Sequence, residues 1–566
     1  MRFELSVRAA GIALLAILAA APSGVAQAPS QTRAERPITL TEAVALALAN
    51  NEDILVERES LVAAEAAVSG AQGAYDPLLQ LDGGWRQSSL PVNSAFSGAP
   101  PGRLAPTVES TEANAGVSQL LPTGGVVAVR GAADRTTTDG LFDLLSPSYG
   151  TGLGVEFRQP LLRDRTIDGA RFQIRVAAAD RERAAAGVRR EVTDTVAEVE
   201  RAYWTLVAAR RELGVRQEAV GLAGEQLSET DIRIESGSAP ETEVAQPRAE
   251  LERRRGELLA ATEAAARAEN ALKLLILGDG GDGGDSPAGD SGSDSGASGR
   301  PSWGDRLVPA EEAEPTVTPV DVEAAMARAL DARPELAAFE AAVERRRIET
   351  ALAVDAVRPA LDAVVSHDRF GLAGSRNRAA TPVPGVPGGV PGRLQGNFGD
   401  SLGLLADGDF DDTRVGLVFS YPIGNRQARA GAAIARTVER QAEADLTRAR
   451  KGVRAEVLDA AAALDTAGQR IAAARAGREA AEVQLMAERE RYGAGMTTNF
   501  LVLTRQNDLS RARLEEIAAQ TDYRRAATEL ARVTGALLQE RGIVLEERDI
   551  RDEQNLSNGT AVQGGL

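Results

Sequence analysis

The sequence predicts a mainly α-helical fold with a smaller β component, built from two copies of one long helical hairpin. Three observations predict it. First, every seventh residue from 192 is apolar: Val192, Val199, Leu206, Leu213, Val220, Leu227 and Ile234, resuming as Val244, Leu251, Leu258, Ala265 and Leu272. A heptad phase held this long requires long helices that pack along a narrow seam. Second, one constant offset carries that seam onto another. Val199, Leu206, Leu213, Leu227 and Ile234 fall on Val457, Leu464, Ile471, Leu485 and Tyr492, with Arg478 under Val220 as the one misfit in that run. The same offset crosses the turn, taking Gly237 to Gly495, Val244 to Val502, Leu251 to Leu509 and Leu272 to Leu530. Internal duplication accounts for this register. Third, short stretches of strict apolar/polar alternation stand ahead of each hairpin.

Residues 1–28 read as an export signal. Arg2 and Arg8 flank a charged start, residues 11–21 are apolar but too short to span a bilayer, and Ala26 and Ala28 offer small residues for cleavage. With no Cys in the chain, the mature end cannot be acylated as in a bacterial lipoprotein. No later stretch has the length and apolarity of a spanning helix, so any membrane location rests on strands.

The first repeat is expected over residues 38–277. A helix is predicted over 38–74, capped by Thr39 or Thr41, with Val44, Leu48, Ile54, Leu55 and Leu61 as apolar contacts. At Tyr75-Asp76-Pro77 the period changes. Leu79, Leu81, Gly83 and Trp85 then alternate with Gln80, Asp82, Gly84 and Arg86, a strand with one apolar and one polar face. Residues 90–111 read as a Pro/Ser/Gly loop. Strands over 113–121 and 126–130 are joined by Pro122-Thr123-Gly124-Gly125, a hairpin without a clear counterpart later, whose place inside or outside a barrel the sequence leaves open. Leu153, Val155 and Phe157 mark another strand, and the long helix is expected from Ile167 to a turn at residues 236–240. Pro247 fits a helix only in its first turn, so the outgoing arm is expected to start late or kink near Gln246.

The second repeat, residues 318–540, follows the same plan. Leu48, Ile54, Pro77 and Leu79 map to Leu330, Leu336, Pro359 and Leu361, and Phe157 and Pro160 map to Phe419 and Pro422. A loop over 371–409 separates a strand at Leu361, Ala363 and Val365 from one at Val415, Leu417, Phe419 and Tyr421. Between the repeats, residues 278–300 are Gly, Asp and Ser with little else, a linker by composition. Half of a calcium-binding nonapeptide occurs there once, with Pro287 where an apolar residue is required. Residues 541–566 read as a flexible tail. One chain thus offers four to six strands. A membrane barrel needs about eight or more, so several chains would have to share one.

Composition narrows function. A net charge of −18 over 566 residues leaves no basic excess for nucleic acid. The absence of Cys removes thiolate sites and disulfides, and His367, the single His, sits in a strand frame beside a loop. Carboxylates are plentiful but nothing pairs them at a recognisable site, so no catalytic, cofactor or metal site is expected and the chain does not read as an enzyme.

The local marks are Leu40-Thr41-Glu42-Ala43 at the first helix, Gln159-Pro160-Leu161-Leu162-Arg163 after a strand, Tyr421-Pro422-Ile423 in the matching place, and Tyr492-x-x-Gly495 with Leu503 beyond it. With the duplicated order of helix, strands and long hairpin behind an export signal, the chain resembles the TolC-type outer-membrane efflux channels, the outer membrane factors, from Ile38 to about Leu538. The resemblance implies a homotrimer in the outer membrane: coiled-coil hairpins forming a periplasmic tunnel and transmembrane strands shared in one lipid-embedded β-barrel. It implies an exit duct of a tripartite efflux pump or type I secretion system, docked to a periplasmic adaptor (membrane fusion protein) and an inner-membrane pump or exporter.

On that resemblance the two hairpin turns are the periplasmic tip. Arg-x-x-x-Gly turns there receive the adaptor, which assigns docking to Arg233, Gly237, Ser238, Arg491, Gly495 and Met496. The family's carboxylate ring at the periplasmic mouth falls on Leu501 and Thr504, a departure, with Glu243 as the first-hairpin equivalent of Leu501 and Arg505 nearby; these four are the gate candidates. The competing reading is a soluble periplasmic coiled-coil scaffold or adaptor, separated from the duct by whether the strands sit in lipid.

Overall fold

The computed structural model describes residues 35–91, 98–238, 240–278, 301–311, 315–381 and 389–544. The expected export signal, all but the first residue of the linker and most of the C-terminal tail lie outside the described residues.

The chain opens with a short strand, β1 (Glu35–Ile38), then α1 (Leu40–Asn50) and α2 (Glu52–Gln72). The single helix expected over 38–74 is therefore two. Its apolar spacing runs through the junction, but Asn51 takes extended backbone and accepts a hydrogen bond from the Ile54 amide, capping a new helix. The cap of α1 is Thr39. The sheet strands follow as β2 (Leu78–Ser88), β3 (Val108–Leu120), β4 (Val126–Thr138) and β5 (Leu145–Pro160). Next come α3 (Gly169–Glu235), capped by Asp168, and α4 (Ala245–Ile276).

In the second half, β6 (Arg306–Pro309) precedes α5 (Val322–Ala332), α6 (Pro334–Asp355), β7 (Ala360–Arg376), α7 (Phe398–Asp407) and β8 (Asp411–Ser420). The chain then forms α8 (Arg426–Gly493), α9 (Asn499–Val533) and a last turn, α10 (Leu537–Glu540). The break at Asn51 recurs at Arg333, before a proline at the first position of α6.

α3 and α8 have 67 and 68 residues, so each runs about 100 Å at ~1.5 Å per residue. Their seams are buried most fully around mid-length. Val192, Val199, Leu206 and Leu272 are fully buried with Ala43, Ala47 and Tyr203 in one core, and Val457 repeats the arrangement with Ala325 and Ala329. Arg478, the misfit, is accommodated by pairing with Glu516 across the second hairpin at 2.6 Å and with Glu482 at 2.9 Å.

β1 and β6 form a parallel pair that staples the start of one repeat to the approach of the other. Tyr203 closes this belt by donating to the Ile38 carbonyl at 3.2 Å and accepting from the Glu311 amide at 3.3 Å. Burial pushes its hydroxyl up to about 12. Lys273, almost fully buried, is satisfied by Glu269 at 2.9 Å and by the carbonyls of Trp303 and Asp305.

The other six strands make one antiparallel sheet in the order β2-β3-β4-β5-β7-β8. The Pro122 hairpin, left open by the sequence, is its β3–β4 unit. Several strands outrun their expected limits. β3 begins inside the expected 90–111 loop, β4 continues to Thr138, and β7 continues to Arg376 inside the expected 371–409 loop. α7 also arises within that loop, started by an Asn397–Asp400 capping box.

Candidate functional site: the hairpin tips and the two-faced sheet

The two turns joining the long helices are built alike. At the first, Ser236 ends the helix, Gly237 takes φ of 73°, and the Ser238 amide donates to the Arg233 carbonyl at 2.8 Å. At the second, Ala494 ends the helix, Gly495 also takes φ of 73°, and the Met496 amide donates to the Arg491 carbonyl at 2.9 Å. Both are glycine-closed helix ends, in which the left-handed residue lets the chain satisfy the last carbonyls. A Cβ at either glycine would meet nothing within 4 Å, so backbone conformation, not space, demands glycine.

The exits differ. After Gly237 the chain passes Pro240 and a single 3-10 turn, Glu241–Val244, before α4 begins at Ala245. Pro247 therefore sits in the first turn of α4, the late start its sequence position requires. After Gly495, Thr498 leads directly into α9, and the Thr497 hydroxyl donates to Glu488.

The structure sorts the candidate residues. Arg233 donates to the Tyr492 hydroxyl at 2.6 Å and to Glu229 at 3.0 Å, with its guanidinium carbon 4.6 Å from the centre of the Tyr492 ring. It thus ties the first tip to the second. Arg491, its sequence equivalent, is exposed and only loosely paired with Glu488 at 3.6 Å. Ser238 shares a 3.0 Å hydroxyl contact with Ser236. Burial pushes the Tyr492 hydroxyl above its ordinary value; the Arg233 charge opposes the rise, and Glu229 and Glu243 add to it.

Glu243 is exposed beside this cluster. Leu501 is an exposed apolar residue, and Thr504 turns its hydroxyl back to the Phe500 carbonyl at 2.9 Å. Arg505 contacts Asp508 on its own helix at 3.1 Å and Gln484 on α8 at 3.3 Å, so its carboxylate partner is local. Sequence reasoning missed two features here. The heptad pattern places Tyr492 in the seam and carries no sign of its bond to Arg233. Ile232, Met496, Phe500 and Leu501 together expose apolar surface at the tips, a pattern that periodicity treats as noise at a helix end.

Above the tips the hairpins are stitched together by polar contacts. Arg253 reaches Asn507 at 3.1 Å, Arg513 reaches Glu218 at 2.7 Å, Arg211 reaches Gln520 at 2.6 Å, and Arg532 reaches Asp194 at 3.2 Å.

At the other end, the register of the sheet separates two faces. One row carries Leu79, Leu81, Val117, Val129, Val155, Phe157, Val365, Leu417 and Phe419, aligned by direct cross-strand pairs such as Leu79 with Val117 and Leu361 with Phe419. These large side chains are exposed, Leu81 to 69% and Leu417 to 68%. The opposite face carries Arg130 paired with Glu156 at 2.6 Å, Arg158 with Asp362 at 2.6 Å, and Asn114 with Asp82 at 2.7 Å. α7 packs on the apolar face over Thr151 and Gly371, and the row of large apolar side chains stays exposed beside it. A sheet polar on one face and exposing large apolar side chains on the other suits water on one side and hydrocarbon on the other.

Among the described residues no helix is long and apolar enough to cross a membrane, and no group of three or more His, Asp or Glu is placed to hold a metal.

The family model described as outer membrane efflux protein matches residues 43–278 and 325–536. Among solved structures, a membrane protein from Pseudomonas aeruginosa is 18% identical with a TM-score of 0.58, the match covering 88% of this chain and 90% of that one. The outer-membrane channel OprN is 17% identical with a TM-score of 0.57, over 88% of this chain and 90% of that one. The outer membrane protein VceC from Vibrio cholerae is 16% identical with a TM-score of 0.56, over 88% of this chain and 96% of that one. These likenesses speak for the fold. No curated protein matches the chain.

Proposed function

The chain belongs to the outer membrane efflux protein family, and on that premise we propose that three copies form a passive exit duct of a tripartite efflux pump or type I secretion system. The protein lies in the outer membrane with its helical hairpins in the periplasm. In the proposed assembly the sheets of the three copies join in one barrel, and the hairpins, stitched edge to edge, form the wall of a tunnel. The tips receive a periplasmic adaptor that couples the duct to an inner-membrane pump or exporter, and the energy comes from that partner.

The observation that carries this reading is the joining of a two-faced sheet with unpaired edges to two matched hairpins whose turns share one geometry. The exposed apolar row argues against a soluble scaffold, which would leave it in water. At the tips, Arg491, Gly495 and Met496 of one turn and Gly237 and Ser238 of the other are the proposed adaptor contacts; Arg233 takes part through its bond to Tyr492. Glu243, Leu501, Thr504 and Arg505 are the proposed gate.

The test is the mass of the protein extracted in mild detergent from isolated outer membranes, followed by reconstitution in planar bilayers. A trimer that conducts ions supports the duct. A monomer released with the periplasm, or a trimer that leaves the bilayer insulating, refutes it.

A further inference from the structure

Among the described residues the two repeats do not contribute equally to the sheet: the first supplies β2, β3, β4 and β5, the second β7 and β8. We propose that all six strands enter the shared barrel, that β8 of each copy pairs with β2 of the next, and that three copies therefore close a barrel of eighteen strands. This rests on the trimeric duct reading and adds to it the size of the exit and the residues that seal it.

Four observations converge on it. The first is the edges. Among the described residues β2 and β8 each have a strand neighbour on one side only, and in hydrocarbon an open edge leaves amides and carbonyls without partners, so another chain has to supply them. β2 leads away from the helices and β8 leads back to them, so β8 of one copy meets β2 of the next antiparallel. The contact is head to tail and closes as a ring.

The second is the pleat. The apolar rows of both edges must face the same side, which allows alternate registers only. One sets Leu81 opposite Leu417 and brings Arg86 opposite Asp412. The register one pleat repeat away sets Leu81 opposite Val415 and brings Asp82 opposite Arg414. Either places an opposite-charge pair on the polar face.

The third is the integration of the additional β3–β4 hairpin. Its turn is not loose at the periplasmic rim. Gln159 donates to the Thr123 carbonyl at 3.0 Å, and the Thr123 hydroxyl donates to Gln159 at 2.9 Å. Gly124, with φ of 81°, lies so close to the start of α3 that a Cβ would come within 2.7 Å of the Asp164 carbonyl oxygen and 2.8 Å of the Arg171 guanidinium. β3 and β4 also carry the apolar row through Val117 and Val129 without a break, in register with Leu79 and Val155.

The fourth is length. β3 and β4 have 13 residues each, more than the roughly 9–11 a tilted strand needs to cross a membrane.

Eighteen strands at ~4.8 Å spacing and ~40° tilt give a backbone diameter of about 36 Å, in the range of barrels that hold an aqueous channel. Size selection on the cargo then falls to the hairpin tips and not to the exit.

The chain contains no Cys, so engineered pairs report without background. Two edge pairs, Leu81→Cys with Leu417→Cys and Leu81→Cys with Val415→Cys, sample the two registers between copies. A third, Leu81→Cys with Val155→Cys, samples direct β2–β5 pairing, which six inserted strands forbid. β2 and β5 then stand three spacings apart, about 14 Å, against a Cα reach of about 7 Å for a disulfide. Expected on oxidation in membranes is a covalent dimer and trimer ladder from one of the edge pairs and no bond from the third. An intrachain Leu81–Val155 crosslink shows that the β3–β4 hairpin has left the barrel and overturns the count. A protein of trimer mass that crosslinks through neither edge pair overturns the sealing assignment. A monomer mass removes the duct reading beneath it, a result distinct from both.

Discussion

Arg233, in the last turn of α3, donates a 2.6 Å hydrogen bond to the hydroxyl of Tyr492, in the last turn of α8, and covers the same ring at 4.6 Å. The two residues occur at sequence-equivalent ends of different repeats, so the bond joins the tips and not the arms of one hairpin. A charged hydrogen bond contributes about 1.5–3 kcal/mol and a cation–π contact about 0.5–1 kcal/mol. Removing both is enough to shift a closed-to-open balance of the tips by tenfold or more. Tyr492→Phe keeps the ring and loses the hydrogen bond; Tyr492→Ala loses both. Open-time fraction in planar bilayers is expected to rise in the order wild type, Tyr492→Phe, Tyr492→Ala, with the trimer mass unchanged. Equal open fractions for all three would show that the Arg233–Tyr492 contact does not hold the tips closed.

Leu501 puts an exposed apolar side chain one turn into α9. If three copies bring it to the pore axis, Leu501→Asp introduces a ring of carboxylates where none stands. Micromolar to millimolar divalent cation is then expected to block current that passes freely in the wild type. Block curves that superimpose would take Leu501 out of the constriction.

Gly237 and Gly495 hold the same left-handed backbone with open space around them. Replacing both with Val costs about 1–2 kcal/mol each in conformational strain, small beside the interfaces that hold a trimer. The double variant is expected to assemble at normal mass while adaptor-dependent export falls at least tenfold. Normal export would show that the turns serve folding alone.

How much of this was legible from residues alone depends on whether the signal was local. The hairpins were, because a seam repeating from Val192 to Leu272 leaves few alternatives to long packed helices. The helix break was half legible. At Arg333 the following proline announces it, while at Asn51 the apolar spacing continues across and only a capping side chain marks the junction. The outer halves of β4 and β7 were not legible, since Gly131 to Thr138 and Gly371 to Arg376 carry too few large apolar residues to alternate. α7 lay hidden in a Gly/Pro-rich stretch. Its docking depends on Gly371, where a Cβ would come within 2.0 Å of the Ser401 carbonyl oxygen, and on a 2.9 Å hydroxyl contact between Thr151 and Ser401. The Arg233–Tyr492 bond spans the duplication, and no local pattern encodes a contact between two repeats.

Acidification is expected to loosen the junction between α3 and α9. The Arg532 guanidinium, hydrogen-bonded to Glu529 at 2.6 Å, holds the Glu529 carboxyl below its ordinary value of 4.5, and Arg201 adds to the effect. A depressed folded-state value means that the stabilisation is complete above pH 4.5 and is lost as pH falls through the lower folded value. Melting temperature is therefore expected to drop below pH 4.5 in the wild type and to drop less steeply in Glu529→Gln. Parallel curves for the two proteins would assign the acid sensitivity elsewhere.

Glu200 sets the most demanding packing problem in the helical body. Its carboxylate is fully buried in α3, accepts from Thr528 on α9 at 2.7 Å, and pairs with Arg541 just past α10. Breaking a buried ion pair ordinarily costs about 3–5 kcal/mol because the remaining charge is stranded. Here the remaining charge is not stranded, since the Arg541 side chain is already 41% exposed and has only to turn outward. Glu200→Ala is therefore expected to cost about 1–3 kcal/mol, the range for an unsatisfied hydrogen-bonding partner, and to free the chain beyond α10. Trypsin cleavage after Arg541 is expected to accelerate in Glu200→Ala while the long hairpins stay protected. A loss above that range with uniform proteolysis would mean that Glu200 organises the whole helical body and not the attachment of its C-terminal end.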